Sequence, residues 1–176
     1  MYEEFYGFKE RPFALVPDPS FLYLSKGHGT ALTLLRYSIM NRQGFTVVSG
    51  EVGSGKTTLV NRLLDELKTG VTVGLINFTT RTFGDMAEWI MMAYGLPYKN
   101  KGKVELYEDF VQFMIREYAA GRPVVLIVDE AQNLGIRGLE EIRMLSNVNA
   151  QKEYLLHVIL VGQPELRALL QTPQLR

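Results

Sequence analysis

Two groups of polar residues in this chain have the types and the spacing to act on a phosphate. The first group fits the pattern G-x-x-x-x-G-K-[ST] and runs through Gly50, Glu51, Val52, Gly53, Ser54, Gly55, Lys56, Thr57 and Thr58. Its glycines let the backbone wrap around phosphates, successive N–H groups form an anion cradle, and Lys56 supplies positive charge. The Thr57 hydroxyl is placed to ligate Mg²⁺. A plain glycine-rich turn is the alternative, but a turn requires neither Lys56 nor Thr57.

The second group is an acidic pair, Asp129 and Glu130, directly after the apolar run 124–128. A continuous run rich in β-branched residues predicts a central parallel strand covered on both faces. Ligands bind at the carboxyl ends of such strands. Asp129 would hold Mg²⁺ through water, as an Asp in this place does in P-loop NTPases. Glu130 could orient or deprotonate a water that attacks the γ-phosphate. The alternative is an acidic pair that merely ends a strand.

Alternating β-rich and helical patterns predict the elements that hold these residues in place. They indicate an α/β fold in three layers, with a mainly parallel sheet and helices on both faces. The strands are expected at 45–49, 71–77, 124–128 and 154–162, and the helices at 28–42, 58–64, 82–94, 104–120 and 136–148, with a short one from Pro164. We expect Trp89 to be a core residue and His157 to be a core or edge residue rather than a catalyst. The two apolar stripes of helix 104–120 predict a sandwiched helix or a subunit interface.

The first 26 residues are rich in aromatic residues and proline, which predicts an extended arm with short turns before a domain at 27–176. So many aromatic side chains should lie on the domain or on a neighbour. Either the arm simply packs on the core, or Tyr23 and Leu24 line an adenine pocket beside the glycine-rich loop.

Composition excludes several other functions. The chain of 176 residues has 19 basic and 19 acidic residues and no cysteine, so it has no global basic field and no disulfide or thiolate site. Its two histidines are too far apart in sequence to predict a zinc site. It has no apolar run long enough for a membrane span, and we expect a cytoplasmic domain. The lysines of loop 98–103 indicate a solvated surface or, alternatively, a nucleic-acid contact.

Four sequence segments of this chain, taken together, resemble those of one protein family. They are Phe13 to Tyr23, the loop 50–58, Asp129-Glu130-Ala131-Gln132-Asn133-Leu134, and Val161-Gly162-Gln163-Pro164-Glu165-Leu166. Together they are similar to the AAA ATPases of the general secretion pathway protein A type, which are related to ATPases of pilus biogenesis and exosortase-linked systems. The resemblance implies a three-layer P-loop fold of the AAA+ type, with ATP or ADP and Mg²⁺ as cofactors.

The same resemblance implies roles for three further residues and several partners. Gln163 matches a sensor position that touches the γ-phosphate or the attacking water. Asn77 matches a residue that restrains the catalytic glutamate, and Arg176 falls where an arginine finger is often found. A homo-oligomer formed through the nucleotide interface is expected, with secretion or envelope-assembly proteins as further partners.

AAA+ domains also carry a fifth strand and a helical lid, which this sequence lacks. We therefore expect strand 45–49 to be an exposed edge and the chain to be the front portion of a longer polypeptide. Turnover by this portion alone should be weak, and a membrane association could come only through the continuation. An ATPase motor or switch is the first hypothesis. The alternatives are a nucleotide-gated DNA-associated regulator of the transposition-ATPase type and a non-hydrolysing nucleotide-binding scaffold.

Overall fold

The computed structural model describes residues 2–8, 23–67, 70–77, 85–150 and 153–175 of the chain. Its helices are α1 (Tyr2–Tyr6), α2 (Lys26–Met40), α3 (Lys56–Glu66), α4 (Met86–Ala93), α5 (Lys103–Ala119), α6 (Gly135–Ser146) and α7 (Pro164–Leu170). Its strands are β1 (Phe45–Ser49), β2 (Thr72–Asn77), β3 (Val124–Asp129), β4 (Asn149–Ala150), β5 (Glu153–Tyr154) and β6 (Leu156–Gly162). Short 3₁₀ turns cover Ala131–Leu134 and Pro173–Leu175.

The main sheet has four parallel strands in the order β1-β6-β3-β2 within the described residues. β3 and β6 lie in the middle and are buried along their whole length. β1 pairs with β6 alone in this sheet and alternates between exposed and half-buried positions, so the predicted edge strand is confirmed. Because all four strands run in one direction, the carboxyl ends of β1, β3 and β6 meet at one edge of the sheet.

Helices cover both faces of this sheet, and two apolar clusters fill the space between the layers. On one face α2 and α3 pack against Val125 and Ile127 of β3. On the other face α4, α5 and α6 pack against Leu126 and Val128. The alternation along β3 follows from the two-residue period of a strand, and it explains why an unbroken apolar run is needed there. The predicted three-layer α/β fold is confirmed.

The bounds of several elements differ from the sequence predictions. α2 begins two residues earlier than expected, at Lys26, because Ser25 caps it by accepting a hydrogen bond from the backbone N–H of His28. The strand expected at 154–162 is divided, since Glu153–Tyr154 pairs antiparallel with Asn149–Ala150 and only Leu156–Gly162 joins the main sheet. The first residues expected in helix 82–94 lie outside the described part, and α4 ends at Ala93.

The described residues at the start of the aromatic arm are mostly exposed and are not part of the core. Residues 2–6 form a short helix, and Phe5 and Tyr6 are 81% and 66% exposed. Their rings contact each other edge to face, with centroids 4.9 Å apart. The remainder of the arm, residues 9–22, lies outside the described residues.

The predicted core residues are buried to different degrees. His157 is 3% exposed, and its ring bonds to the Gln43 carbonyl and lies 3.2 Å from the Ser38 hydroxyl, so its core position is confirmed. Trp89 is half-buried against the α4–α5–α6 side of the sheet. Leu106, Phe110 and Met114 of α5 are buried, whereas Val104 and Tyr107 near its amino end are exposed, so that end of the helix is not sandwiched. None of the described helices is long and apolar enough to cross a membrane.

Candidate functional site

The glycine-rich loop connects β1 to α3 and closes over the amino end of that helix. Gly53 and Gly55 have φ of 76° and 82°, a left-handed conformation in which a Cβ would be strained. Gly55 is the residue before the first turn of α3, so the helix presents its unpaired N–H groups towards the loop. The loop therefore has the backbone geometry of an anion-binding cradle.

A cavity of about 270 Å³ lies between this loop and the ends of β3 and β6. It is lined by Val52, Gly53, Gly55, Lys56, Thr57, Thr58, Glu130 and Gln163. The Lys56 ammonium donates to the carbonyls of Gly50 at 2.7 Å and Glu51 at 2.9 Å, which holds it across the loop. All eight lining residues belong to the sequence-predicted site, and they make up half of it.

Thr57 and Asp129 form a pair of hard oxygen donors beside this cavity. The Thr57 hydroxyl donates to Asp129 Oδ2 at 3.0 Å, and the other carboxylate oxygen accepts the Glu130 N–H at 2.9 Å. Asp129 is only 4% exposed, so its carboxylate is held in one orientation. Mg²⁺ in nucleotide sites takes one or two protein oxygens and completes its shell with water and phosphate, and this pair fits that requirement.

Glu130 follows Asp129 in a backbone conformation that non-glycine residues seldom adopt. Its φ and ψ are 53° and 38°, in the left-handed region. A non-glycine residue held in this region costs of order 1–3 kcal/mol, and such residues cluster at functional sites. The turn brings its carboxylate to the cavity wall beside Thr57 and Gln163.

Two glutamines contact the Glu130 carboxylate, and only one of them was expected. Gln163, at the end of β6, lines the cavity and donates from Nε2 to Glu130 Oε2 at 3.2 Å. Gln132 donates to the same oxygen at 2.5 Å. Sequence reasoning missed Gln132 because its approach depends on the 3₁₀ turn after Glu130, which no periodic pattern signals.

His28 is a second residue that sequence reasoning did not place at the site. Its Nε2 lies 2.8 Å from the Ser54 carbonyl in the glycine-rich loop. A carbonyl can only accept, so Nε2 carries the proton and donates, and Nδ1 accepts from the Ser25 hydroxyl at 2.8 Å. His28 thus connects the amino end of α2 to the loop.

The other sequence-predicted residues stand apart from this cluster. Asn77 is aligned with Asp129 across β2 and β3, but its side chain is exposed and makes no hydrogen bond to Glu130. Tyr23 and Leu24 are 84% and 46% exposed and are not among the residues that line the cavity. Arg176 lies outside the described residues. These roles stay predictions.

The family of the chain follows from its relatives. The chain belongs to the AAA domain family, whose model matches residues 39–170. It is similar to general secretion pathway protein A of Aeromonas hydrophila, with 39% identity over 177 residues, and the match covers 100% of this chain and 32% of that protein. The resemblance inferred from the sequence is confirmed, and the chain spans about a third of the length of this curated relative.

Solved structures support the fold. The ORC2 protein of Aeropyrum pernix in its ADPNP–ADP complexes matches with a TM-score of 0.64 and 18% identity, over 95% of this chain and 49% of that one. Cdc6p from Pyrobaculum aerophilum matches with a TM-score of 0.63 and 20% identity, over 92% of this chain and 47% of that one. At these identities the matches bear on the fold alone, and they agree with the three-layer α/β arrangement described above.

Proposed function

We propose that this chain binds ATP and hydrolyses it at the cavity between the glycine-rich loop and the ends of β3 and β6. The observation that carries the proposal is the Glu130 carboxylate on the wall of a cavity whose opposite side is a phosphate cradle. The loop N–H groups and Lys56 would hold the phosphates. Mg²⁺, held by Thr57 and Asp129 directly or through water, would supply positive charge to the phosphate oxygens.

In this reaction Glu130 accepts a proton from the attacking water. The water oxygen bonds to the γ-phosphorus, the bond to the β–γ bridging oxygen breaks, and ADP leaves with that electron pair. Gln163 lies beside Glu130 and would contact the γ-phosphate or the attacking water. The test is the pair Lys56→Ala and Glu130→Gln: the first should weaken ATP binding, and the second should keep binding and lose turnover.

We further propose that turnover depends on assembly of a homo-oligomer through the nucleotide interface, with residues 27–176 as the ATPase domain and 1–26 as an arm. An arginine supplied by a neighbour, the role expected of Arg176, is worth about 10³–10⁵ in rate in related reactions. Turnover per subunit should then rise with protein concentration, and the chain at low concentration should be slow. A rate per subunit that stays constant across the monomer-to-oligomer transition would contradict this part of the proposal.

The similarity to general secretion pathway protein A supports a role in secretion or envelope assembly, which we propose as the process that this ATPase powers or switches. A cell that carries Lys56→Ala at normal protein level should lose export or assembly of envelope proteins. Unchanged export in that cell would contradict the proposed role of the ATPase in secretion or envelope assembly.

The charges on the structure favour this proposal over a DNA-associated regulator. Lys101 pairs with Asp109 and Glu105, and Lys103 lies 3.0 Å from Asp85 and 3.4 Å from Glu141. Two of the three lysines of this loop are therefore paired with carboxylates of the domain. Salt-dependent retention on DNA would support the regulator instead. ATP binding without any turnover in the assembled protein would support a non-hydrolysing scaffold.

A further inference from the structure

The Glu130 carboxylate is held at one of its two oxygens. Oε2 accepts hydrogen bonds from the side-chain amides of Gln132 at 2.5 Å and Gln163 at 3.2 Å. Within the described part of the chain, no side chain or backbone group donates a hydrogen bond to the second oxygen, Oε1. A carboxylate bound in this way has a fixed direction, and its second oxygen keeps its capacity to accept a proton from water.

The Gln132 amide is fixed at both of its ends. Its oxygen accepts the backbone N–H of Gln163 at 3.0 Å, and a backbone N–H can only donate. The amide nitrogen must therefore point to Glu130. One side chain thus joins the turn after β3 to the end of β6, the two strands whose carboxyl ends border the cavity.

The space around this amide is closely fitted. A Cβ added to Gly162 would lie 2.5 Å from Gln132 Oε1 and 2.9 Å from Leu166 Cδ2. A glycine at this position of β6 is therefore what lets the Gln132 oxygen reach the Gln163 N–H. Any side chain there would push the end of Gln132 away from its two partners.

We propose that Gln132 is the positioning residue that aims Glu130 at the attacking water, an inference that rests on the proposed hydrolysis. Gln163 lines the cavity, so its amide has both phosphate and Glu130 within reach. Gln132 is not among the residues that line the cavity, and its amide is engaged at both ends by Glu130 and by the Gln163 N–H. The resemblance gave Asn77 a different role, that of restraining Glu130, and the Asn77 side chain does not bond to Glu130 in the structure.

The test compares Gln132→Met with the parent and with Gln112→Met. Methionine has a similar length and volume but neither donates to Glu130 nor accepts from Gln163, and Gln112 is an exposed residue of α5 that gives the same chemical change away from the cavity. We expect Gln132→Met to lower kcat about 10- to 100-fold, because misplacing a catalytic group by about 1 Å costs on that order. KM for ATP should change less than about threefold, since the phosphate cradle is untouched. Gln112→Met should match the parent.

Gly162→Ala reaches the same contact from the other strand, and it also serves if Gln132→Met does not fold. It should lower kcat in the same way with KM kept, because its Cβ displaces the Gln132 oxygen. A kcat for both variants within about twofold of the parent would overturn the positioning role. An equal loss in kcat and in ATP affinity would also overturn it, since that pattern indicates general disturbance of the loop.

A measurement without turnover separates this inference from the proposed function. The side-chain amide protons of Gln132, observed by NMR in the parent protein, should shift when Glu130 is replaced in Glu130→Ala. If the parent does not hydrolyse ATP, the proposed function fails, and a shift in this measurement still supports the contact. Amide signals that do not move in Glu130→Ala would show that Gln132 does not hold Glu130, whatever the activity.

Discussion

Replacing His28 with phenylalanine tests whether α2 helps to shape the phosphate cradle. The His28 ring donates to the Ser54 carbonyl at 2.8 Å and accepts from the Ser25 hydroxyl at 2.8 Å. His28→Phe keeps a planar ring but removes both hydrogen bonds. The half-buried Ser54 carbonyl then loses its side-chain partner in the loop that holds the phosphates.

The expected size of the effect follows from these two bonds. A hydrogen bond contributes about 0.5–1.5 kcal/mol net, and an acceptor left without a partner adds to the loss. A total of about 1–2 kcal/mol corresponds to a change of about 5- to 30-fold in an equilibrium constant. We therefore expect the Kd for ATP to rise by about that factor, because the loop must be ordered when the nucleotide binds. kcat at saturating ATP should change little, since Glu130 and its partners are not touched.

The assay is a fluorescence titration with a labelled ATP analogue, run beside Thr33→Ala. Thr33 lies on the same helix, and its hydroxyl donates to the backbone carbonyl of Gly29 one turn earlier. Thr33→Ala therefore also removes a hydrogen bond from α2, but one that does not involve the loop. Thr33→Ala should bind like the parent. A folded His28→Phe protein with the parent's Kd would refute the reasoning.

Two further predictions concern stability. Gly74→Ala should cost about 1–3 kcal/mol in urea unfolding, because its Cβ would lie 2.7 Å from the Tyr94 ring, whereas Gly29→Ala has open space and should be neutral or stabilising. The ion pair with Arg122 lowers the pKa of Glu117 from its ordinary 4.5 to about 2. The ionised Glu117 therefore stabilises the folded protein above pH 4.5, and this stabilisation is lost as the pH falls towards 2. Water screens this pair, so the free energy of unfolding should fall between neutral and acid pH by only about 0.5–1 kcal/mol less in Glu117→Gln than in the parent. Identical pH profiles for variant and parent would contradict the assignment.

The sequence predicted the parts of the fold that local patterns determine. β1 and the strand ending at Asp129 lie where their β-branched runs indicated, and β1 is at the edge of the sheet as expected. The division of the strand expected at 154–162 was not predictable, because the β4–β5 hairpin depends on pairing between residues that carry no strand periodicity. The helix bounds differed by one or two residues where caps such as Ser25 decide them.

The candidate site was predictable only where its functional residues are consecutive in the sequence and form a recognisable motif. The loop at 50–58 and the pair Asp129 and Glu130 lie together as expected. Gln132 and His28 were missed because tertiary approach brings them to the site: one through a left-handed residue and a 3₁₀ turn, the other across 26 residues of sequence. A single glutamine or histidine forms no sequence motif, so its role cannot be inferred until its partner in the folded chain is known.

ATP turnover by the parent, by Glu130→Gln and by Glu108→Gln tests the central claim most directly. Glu108 is an exposed residue of α5, so its replacement makes the same chemical change away from the cavity. We predict that Glu130→Gln keeps ATP binding and turns over ATP at least about 100-fold more slowly, as expected when a general base is lost, while Glu108→Gln equals the parent. Hydrolysis by Glu130→Gln at the parent's rate would contradict the account.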